Sequence, residues 1–149
     1  DGRVPNFAGI KYTFESIYEY NQCRLYKDGK FDMLHGQDET ILPSLAMGGA
    51  RGGIGGTTNY NGRELTAIID CWNKGELEAA REHQNFSQEV INVICRYRGN
   101  IVGGKRIMKL IGLDLGKNRT PFQNLTDEEE QAMKRELEAI GFFDRCNVL

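Results

Sequence analysis

The sequence has no Lys/Arg-rich run, no long apolar stretch and no closely paired cysteines, and each gap removes a class of function. With 19 basic against 21 acidic residues and a net charge of −2, the chain carries nothing suited to a nucleic-acid surface. No apolar segment approaches the ~20 residues of a membrane span, and no signal-peptide pattern opens the chain. Cys23, Cys71, Cys95 and Cys146 are scattered without a CxxC pair. That spacing disfavours zinc, implies no metal site, and leads us to expect reduced thiols in a cytoplasmic protein. No segment is low-complexity and no internal repeat is visible. What is present is a 149-residue chain with 40% hydrophobic and 27% charged residues. That is the balance of one globular domain or of part of a larger one. The opening Asp1-Gly2-Arg3 fits a processed or truncated product as well as a complete one.

Apolar patterning divides the chain in two. Phe7 to Thr13 reads as a short strand of the kind buried on both faces in a helix-covered parallel sheet. Phe14, Ile17, Tyr18, Tyr20, Cys23 and Leu25 then give a helical face, and Lys27-Asp28-Gly29-Lys30 a turn. Phe31–Leu34 is a second strand. Ile41 to Ala46 is a short helix with Pro43 in its first turn, stopped by Gly48-Gly49. A glycine-rich third strand covers Gly52–Gly55. Asn61-x-x-Glu64 resembles a capping box opening a helix through Leu65, Ile68, Ile69 and Trp72, closed by Gly75. Strand and helix alternating three times means parallel βα units. From Glu76 the pattern is all helix: one long helix to about Gly99, a short one from Lys105 to Ile111, and a last one capped by Thr126-x-x-Glu129 and stopped by Gly141. We therefore expect βα units over residues 1–75 and a helical extension over 76–149.

In parallel α/β structures, function collects just beyond the C-terminal ends of the strands. Three clusters fall there: Lys11-Tyr12-Thr13, His35 through Glu39, and Gly52 through Asn59. A lysine on an apolar strand either carries its ammonium to the rim or is held partly dehydrated, which favours the nucleophilic amine. Asp38 and Glu39 can accept hydrogen bonds from sugar hydroxyls, or can simply cap the helix that follows. The glycine run lacks both the Walker and the GxGxxG spacing, so close packing or substrate access explains it better than a phosphate. His35 is either a general base or a locally bonded side chain. His83 sits in the 83-86-90-93-97 stripe, which reads as core. The set suits a polyhydroxylated, carbonyl-containing anion.

Gly9-Ile10-Lys11-Tyr12-Thr13, Gly36-Gln37-Asp38-Glu39 and Gly52-Gly53-Ile54-Gly55-Gly56-Thr57-Thr58-Asn59 resemble three motifs of the N-acetylneuraminate lyases. These are class I aldolases of the dihydrodipicolinate synthase superfamily. The resemblance covers nearly the whole chain in order and spacing. It implies an α/β fold, a TIM (β/α)8 barrel with added C-terminal helices, and such barrels need ~250 residues. The chain then resembles only strands six to eight plus the tail. By the same resemblance Lys11 is the Schiff-base lysine and Thr13 a nearby hydroxyl contact. Gly36, Asp38 and Glu39 are the sugar-binding group, and Gly55 a backbone contact. Gly56 departs from the family's usual serine, so its hydroxyl contact is lost or replaced.

The family's proton-shuttling tyrosine and its carboxylate-binding Ser/Thr motif fall outside the matched strands. Tyr12 cannot take the tyrosine's role, because it neighbours Lys11 and points to the opposite face. The partners implied are sialic acid, pyruvate and N-acetylmannosamine, the missing N-terminal half of the barrel, and further copies in a homotetramer. No cofactor is implied, since the covalent iminium does the activating. A different superfamily aldolase or dehydratase, or a non-catalytic half-barrel, are the alternatives.

Overall fold

The computed structural model describes residues 3–48 and 50–147. Three four-residue strands, β1 (Gly9–Tyr12), β2 (Asp32–His35) and β3 (Ala50–Gly53), pair in parallel in the order β1-β2-β3. Helix α1 (Ile17–Leu25) joins the first two strands, α2 (Ile41–Ala46) the next two, and α3 (Thr58–Lys74) follows β3. Parallel neighbours require such crossovers. Lys11 lies opposite Leu34 and Tyr12 opposite His35. Successive side chains alternate between faces, so Ile10, Tyr12, Met33 and His35 share the face towards the helices. There Tyr12 and Met33 pack with Tyr20 and Cys23 of α1.

The lysine strand is covered on one face only: Tyr12 is buried, whereas Lys11 and Thr13 are exposed. Helix α1 packs on the face opposite Lys11, against Tyr12 and Met33. Likewise α1 buries Tyr20 fully but leaves Tyr18 and Leu25 73% and 51% exposed, and Phe14, which lies before the helix, is 55% exposed. The helix flanks the edge strand β1 and packs partly against α2. The short helix α2 has the expected bounds, and Gly48 ends it at φ +78°.

Helix α3 starts a turn earlier than its sequence implies. Asn61 and Glu64 do not cap it. Asn61 bends it at φ −117°, ψ 18°, and donates from Nδ2 to Ser87 Oγ at 3.1 Å. Gly75 closes the helix in the left-handed conformation that glycine adopts without a Cβ clash. The tail comprises α4 (Leu77–Arg96), α5 (Lys105–Leu110), α6 (Asp127–Ala139) and α7 (Phe142–Arg145). A π-type turn over Asn100–Gly104 precedes α5. Thr126 and Glu129 form the expected capping box. The principal core lies between α3 and the tail, centred on Tyr60, Val90, Ile94, Ile107, Met133 and Phe142. Burying each such side chain contributes about 1.5–3 kcal/mol. Among the described residues no helix is long and apolar enough to cross a membrane.

The C-terminal end is tied back by charge. Arg145 donates from Nε and Nη2 to the two carboxylate oxygens of Glu64 at 3.0 and 2.6 Å, while His83 Nδ1 lies 2.7 Å from Glu64 Oε2. The Arg145 guanidinium also stacks 3.7 Å from the Phe86 ring centroid. Burial works to raise the Glu64 carboxyl, but hydrogen bonds and charge from Arg145 and His83 outweigh it and hold the group below its ordinary 4.5. A carboxyl depressed on folding stabilises the fold above its unfolded value, and that stability is lost as pH falls through the folded value. The urea midpoint should therefore drop as pH is lowered from 4.5. Glu64→Gln should cost about 2 kcal/mol at neutral pH and flatten that drop, as equilibrium unfolding across the pH range will report.

Candidate active site

The rim at the C-terminal ends of the strands is laced together laterally. Beyond β1 and β2 the ladder continues, with the Gly36 N–H donating to Tyr12 O at 2.7 Å. A Cβ on Gly36 would overlap Thr13 Oγ1, so only glycine lets the two strand ends approach so closely. On the other side the Ile54 N–H donates to His35 O at 2.8 Å. Lys11 and Thr13, the Gly36–Glu39 segment and the Gly55–Thr57 loop thus form one continuous edge.

Asp38 is the hinge of that edge. It is 2% exposed and opens a single 3-10 turn through Thr40. Its Oδ2 accepts from the Thr57 N–H at 2.9 Å and from the Thr57 hydroxyl at 2.6 Å. Its Oδ1 has no partner among the described residues. A Cβ on Gly55 would overlap the carboxylate, so Gly55 is needed for Asp38 to lie against the loop. The capping alternative is not what the structure contains: α2 has no side-chain cap, and Asp38 reaches across to β3–α3 instead. Two glutamines of α4 hold the turn from behind. Gln84 donates to Asp38 O at 3.1 Å and accepts from the Leu42 N–H at 2.9 Å, and Gln88 donates to Glu39 O at 2.7 Å. The half-buried Glu39 keeps its carboxylate free of hydrogen bonds to described residues.

The remaining candidates separate cleanly. His35 is fully buried on the helix side, with Nε2 2.8 Å from Thr40 Oγ1 and its ring edge-on to Tyr20. Burial lowers its pKa from 6.5, and its place beneath the sheet with Nε2 on Thr40 gives it a structural role away from the rim. His83 is spent on Glu64. The Gly56 carbonyl accepts from Asn59 Nδ2 at 2.9 Å, and the place of a side chain at Gly56 is filled by the carboxamide of Asn100. Among the described residues no three His, Cys, Asp or Glu side chains converge as a metal would require. A solvent-facing amine and the Thr13 hydroxyl, the half-buried Glu39 carboxylate and the half-buried backbone of Gly55 and Gly56 lie on one rim, an arrangement that can form an imine and orient a hydroxylated substrate.

Comparison with known proteins agrees with this layout. Residues 2–140 match the Dihydrodipicolinate synthetase family. The chain belongs to that family. It is 29% identical over 148 residues to the N-acetylneuraminate lyase of Mus musculus, which covers 98% of this chain and 46% of that protein. Against the N-acetylneuraminate lyase of Rhizobium meliloti (strain 1021) it is 32% identical over 130 residues, covering 87% and 42%. Among solved structures, the N-acetylneuraminate lyase (sialic acid aldolase) of Aliivibrio salmonicida superposes with a TM-score of 0.88 at 33% identity, over 95% of this chain and 46% of that one. A Sulfolobus 2-keto-3-deoxygluconate aldolase shares the fold with a TM-score of 0.83 at 24% identity. This family member spans just under half the length of the curated relatives cited, and its helix-covered parallel sheet fits part of a barrel.

The supporting residues of this dihydrodipicolinate synthetase family chain were not evident from its motifs. Thr57 lies inside the glycine-loop motif, but its partner Asp38 is 19 positions away. Gln84 and Gln88 read as ordinary polar positions of an amphipathic helix. Gly55→Ala should push the Asp38 carboxylate off Thr57 and cost about 2 kcal/mol, as overpacking does. Thermal unfolding will read the loss, and faster amide exchange at Thr57 will locate it.

Proposed function

We propose that this chain is the lysine-bearing half of a Schiff-base aldolase that cleaves N-acetylneuraminate to N-acetylmannosamine and pyruvate. The observation that carries the reading is the continuous rim: Lys11 and Thr13 end β1 against Gly36, and Asp38 beyond it packs on Gly55. The names of the relatives support the same chemistry. Lys11 attacks the C2 ketone of the open-chain sugar, and loss of water leaves an iminium. A base takes the proton of the C4 hydroxyl, the C3–C4 bond breaks, and its electron pair moves into the iminium to give an enamine. Protonation and hydrolysis of the enamine release pyruvate and return the amine. Glu39, with its unengaged carboxylate, and the backbone of Gly36, Gly55 and Gly56 orient the sugar. Asp38, whose carboxylate is buried with Oδ2 on Thr57, acts by holding the Gly55–Thr57 loop in place beside the sugar. These are positioning contacts rather than proton transfers.

The proton acceptor belongs to the other half. In this reading residues 1–75 are strands six to eight with their helices, residues 76–149 are the helical extension, and the N-terminal half supplies the rest of a TIM barrel. Its seat on this chain has two parts: the open, Lys11-bearing face of the sheet and a groove of about 670 Å³ beside β1. Val4, Phe7, Ile10, Tyr26, Phe31 and Met33 line the groove. An apolar lining of this kind calls for a covering element. The assembled enzyme works as a homotetramer in the cytoplasm. Another 2-keto-3-deoxy sugar acid is the second reading, favoured by the fold shared with the Sulfolobus aldolase.

Pyruvate with borohydride, applied to the complete enzyme, should leave a reduced adduct on Lys11 that peptide mass spectrometry can locate. An adduct on Lys105 or Lys109 with Lys11 unmodified would overturn the assignment. Glu39→Ala should lower sialic acid cleavage by about tenfold with far less effect on trapping, because pyruvate has no hydroxyls for that carboxylate. Equal loss of both would mean that Glu39 supports the fold instead.

A further inference from the structure

One side chain beside the β3 loop is built into place and is not used by the mechanism above. Asn100 is the first residue of the π-type turn before α5, and it is exposed. Its carboxamide is nonetheless wedged between two glycines. A Cβ on Gly56 would overlap Asn100 Nδ2, and one on Gly104 would lie 2.6 Å from Asn100 Oδ1 and 3.1 Å from the Tyr60 hydroxyl. Between them, Tyr60 donates to Asn100 Oδ1 at 2.7 Å. Tyr60 is 1% exposed, and burial, seconded by the charges of Asp38 and Cys95, pushes its hydroxyl far above the ordinary 10. The phenol therefore stays protonated and remains a donor.

That donor fixes the amide. With its oxygen turned to Tyr60, the nitrogen of Asn100 faces Gly56, in the loop whose next residue, Thr57, holds Asp38. Nδ2 donates to nothing among the described residues. Tying the tail to α3 needs only Oδ1, so the donor pair on Nδ2 is spare. A preset donor at an exposed rim, beside a loop that also offers bare glycine backbone, matches an oxygen-rich ligand.

We propose that Asn100 Nδ2 donates to a hydroxyl or carbonyl oxygen on the sugar portion of the substrate, which makes Asn100 a specificity residue supplied by the helical tail. The inference rests on the reading of function given above, and it adds a contact from outside the three strand-end motifs.

The test uses Asn100→Asp and Asn100→Ala in the complete enzyme, with steady-state kinetics on N-acetylneuraminate and on 2-keto-3-deoxygluconate. Aspartate keeps the shape and the acceptor for Tyr60 but replaces the donor, whereas alanine removes both. We expect both variants to raise KM for N-acetylneuraminate about tenfold, aspartate at least as much as alanine, with borohydride trapping of pyruvate on Lys11 unchanged. An aspartate variant that behaves as wild type, whether or not alanine is impaired, would reduce Asn100 to a packing role and overturn the inference. If the alanine variant fails to fold, the aspartate variant alone decides. A wild-type enzyme that ignores N-acetylneuraminate but cleaves 2-keto-3-deoxygluconate would overturn the functional reading instead. The same KM comparison on that sugar would then decide Asn100.

Discussion

The carboxylate of Asp38 joins the end of β2 to the start of α3 through one oxygen, which accepts both the amide and the hydroxyl of Thr57. Hydrogen bonds to a charged group are worth about 1.5–3 kcal/mol each when partners are buried. The arrangement is possible only because Gly55 has no side chain and because Gln84 holds the Asp38 carbonyl from α4. The segments of the rim are all referenced to this point. Glu39 follows it in the same turn, Gly36 precedes it against Thr13, and Gly56 lies one residue before Thr57. The rim and the helical tail are therefore one mechanical unit, even though the tail contributes no strand.

The second constraint is the sheet itself. Three parallel strands have two edges and two faces, and this chain covers one face with helices. Parallel sheets are ordinarily buried on both sides, and unpaired edges invite further pairing. The exposed side of β1 carries Lys11, and the groove beside it is apolar. The same geometry that exposes the amine thus also asks for more protein around it. The chain spans 46% of the length of its mouse relative.

Much of this was legible in the sequence where the signal is local. The Thr126-x-x-Glu129 box, the left-handed Gly75 and the bounds of α2 depend on residues a few positions apart, and the structure has them as read. The strand-end motifs were legible because each is a short contiguous run, around Lys11, Asp38-Glu39 and Gly52–Asn59. Failures came where a distant partner outbid a local one. Asn61 and Glu64 look like a cap, yet Ser87 claims the first, and His83 and Arg145 the second, the last from 81 positions away. Helix α7 is too short to show a period. Asn100 carries no motif at all, and its importance follows only from two glycines and a buried tyrosine meeting around it. The burial expected on both faces of β1 presupposed a parallel sheet covered on both sides, and the described residues leave Lys11 and Thr13 exposed on one.

The central claim is that this chain holds the amine and the sugar-binding rim but not the proton acceptor that carbon–carbon cleavage requires. General-base assistance is worth roughly 10²–10⁴-fold, so the deficit is measurable. N-acetylmannosamine release from N-acetylneuraminate should be followed for the 149-residue chain, purified free of host lyase, alone and after mixing with an N-terminal half-barrel from a relative. The account predicts no appreciable release alone and recovery of release on mixing. Appreciable turnover by the chain alone would contradict it.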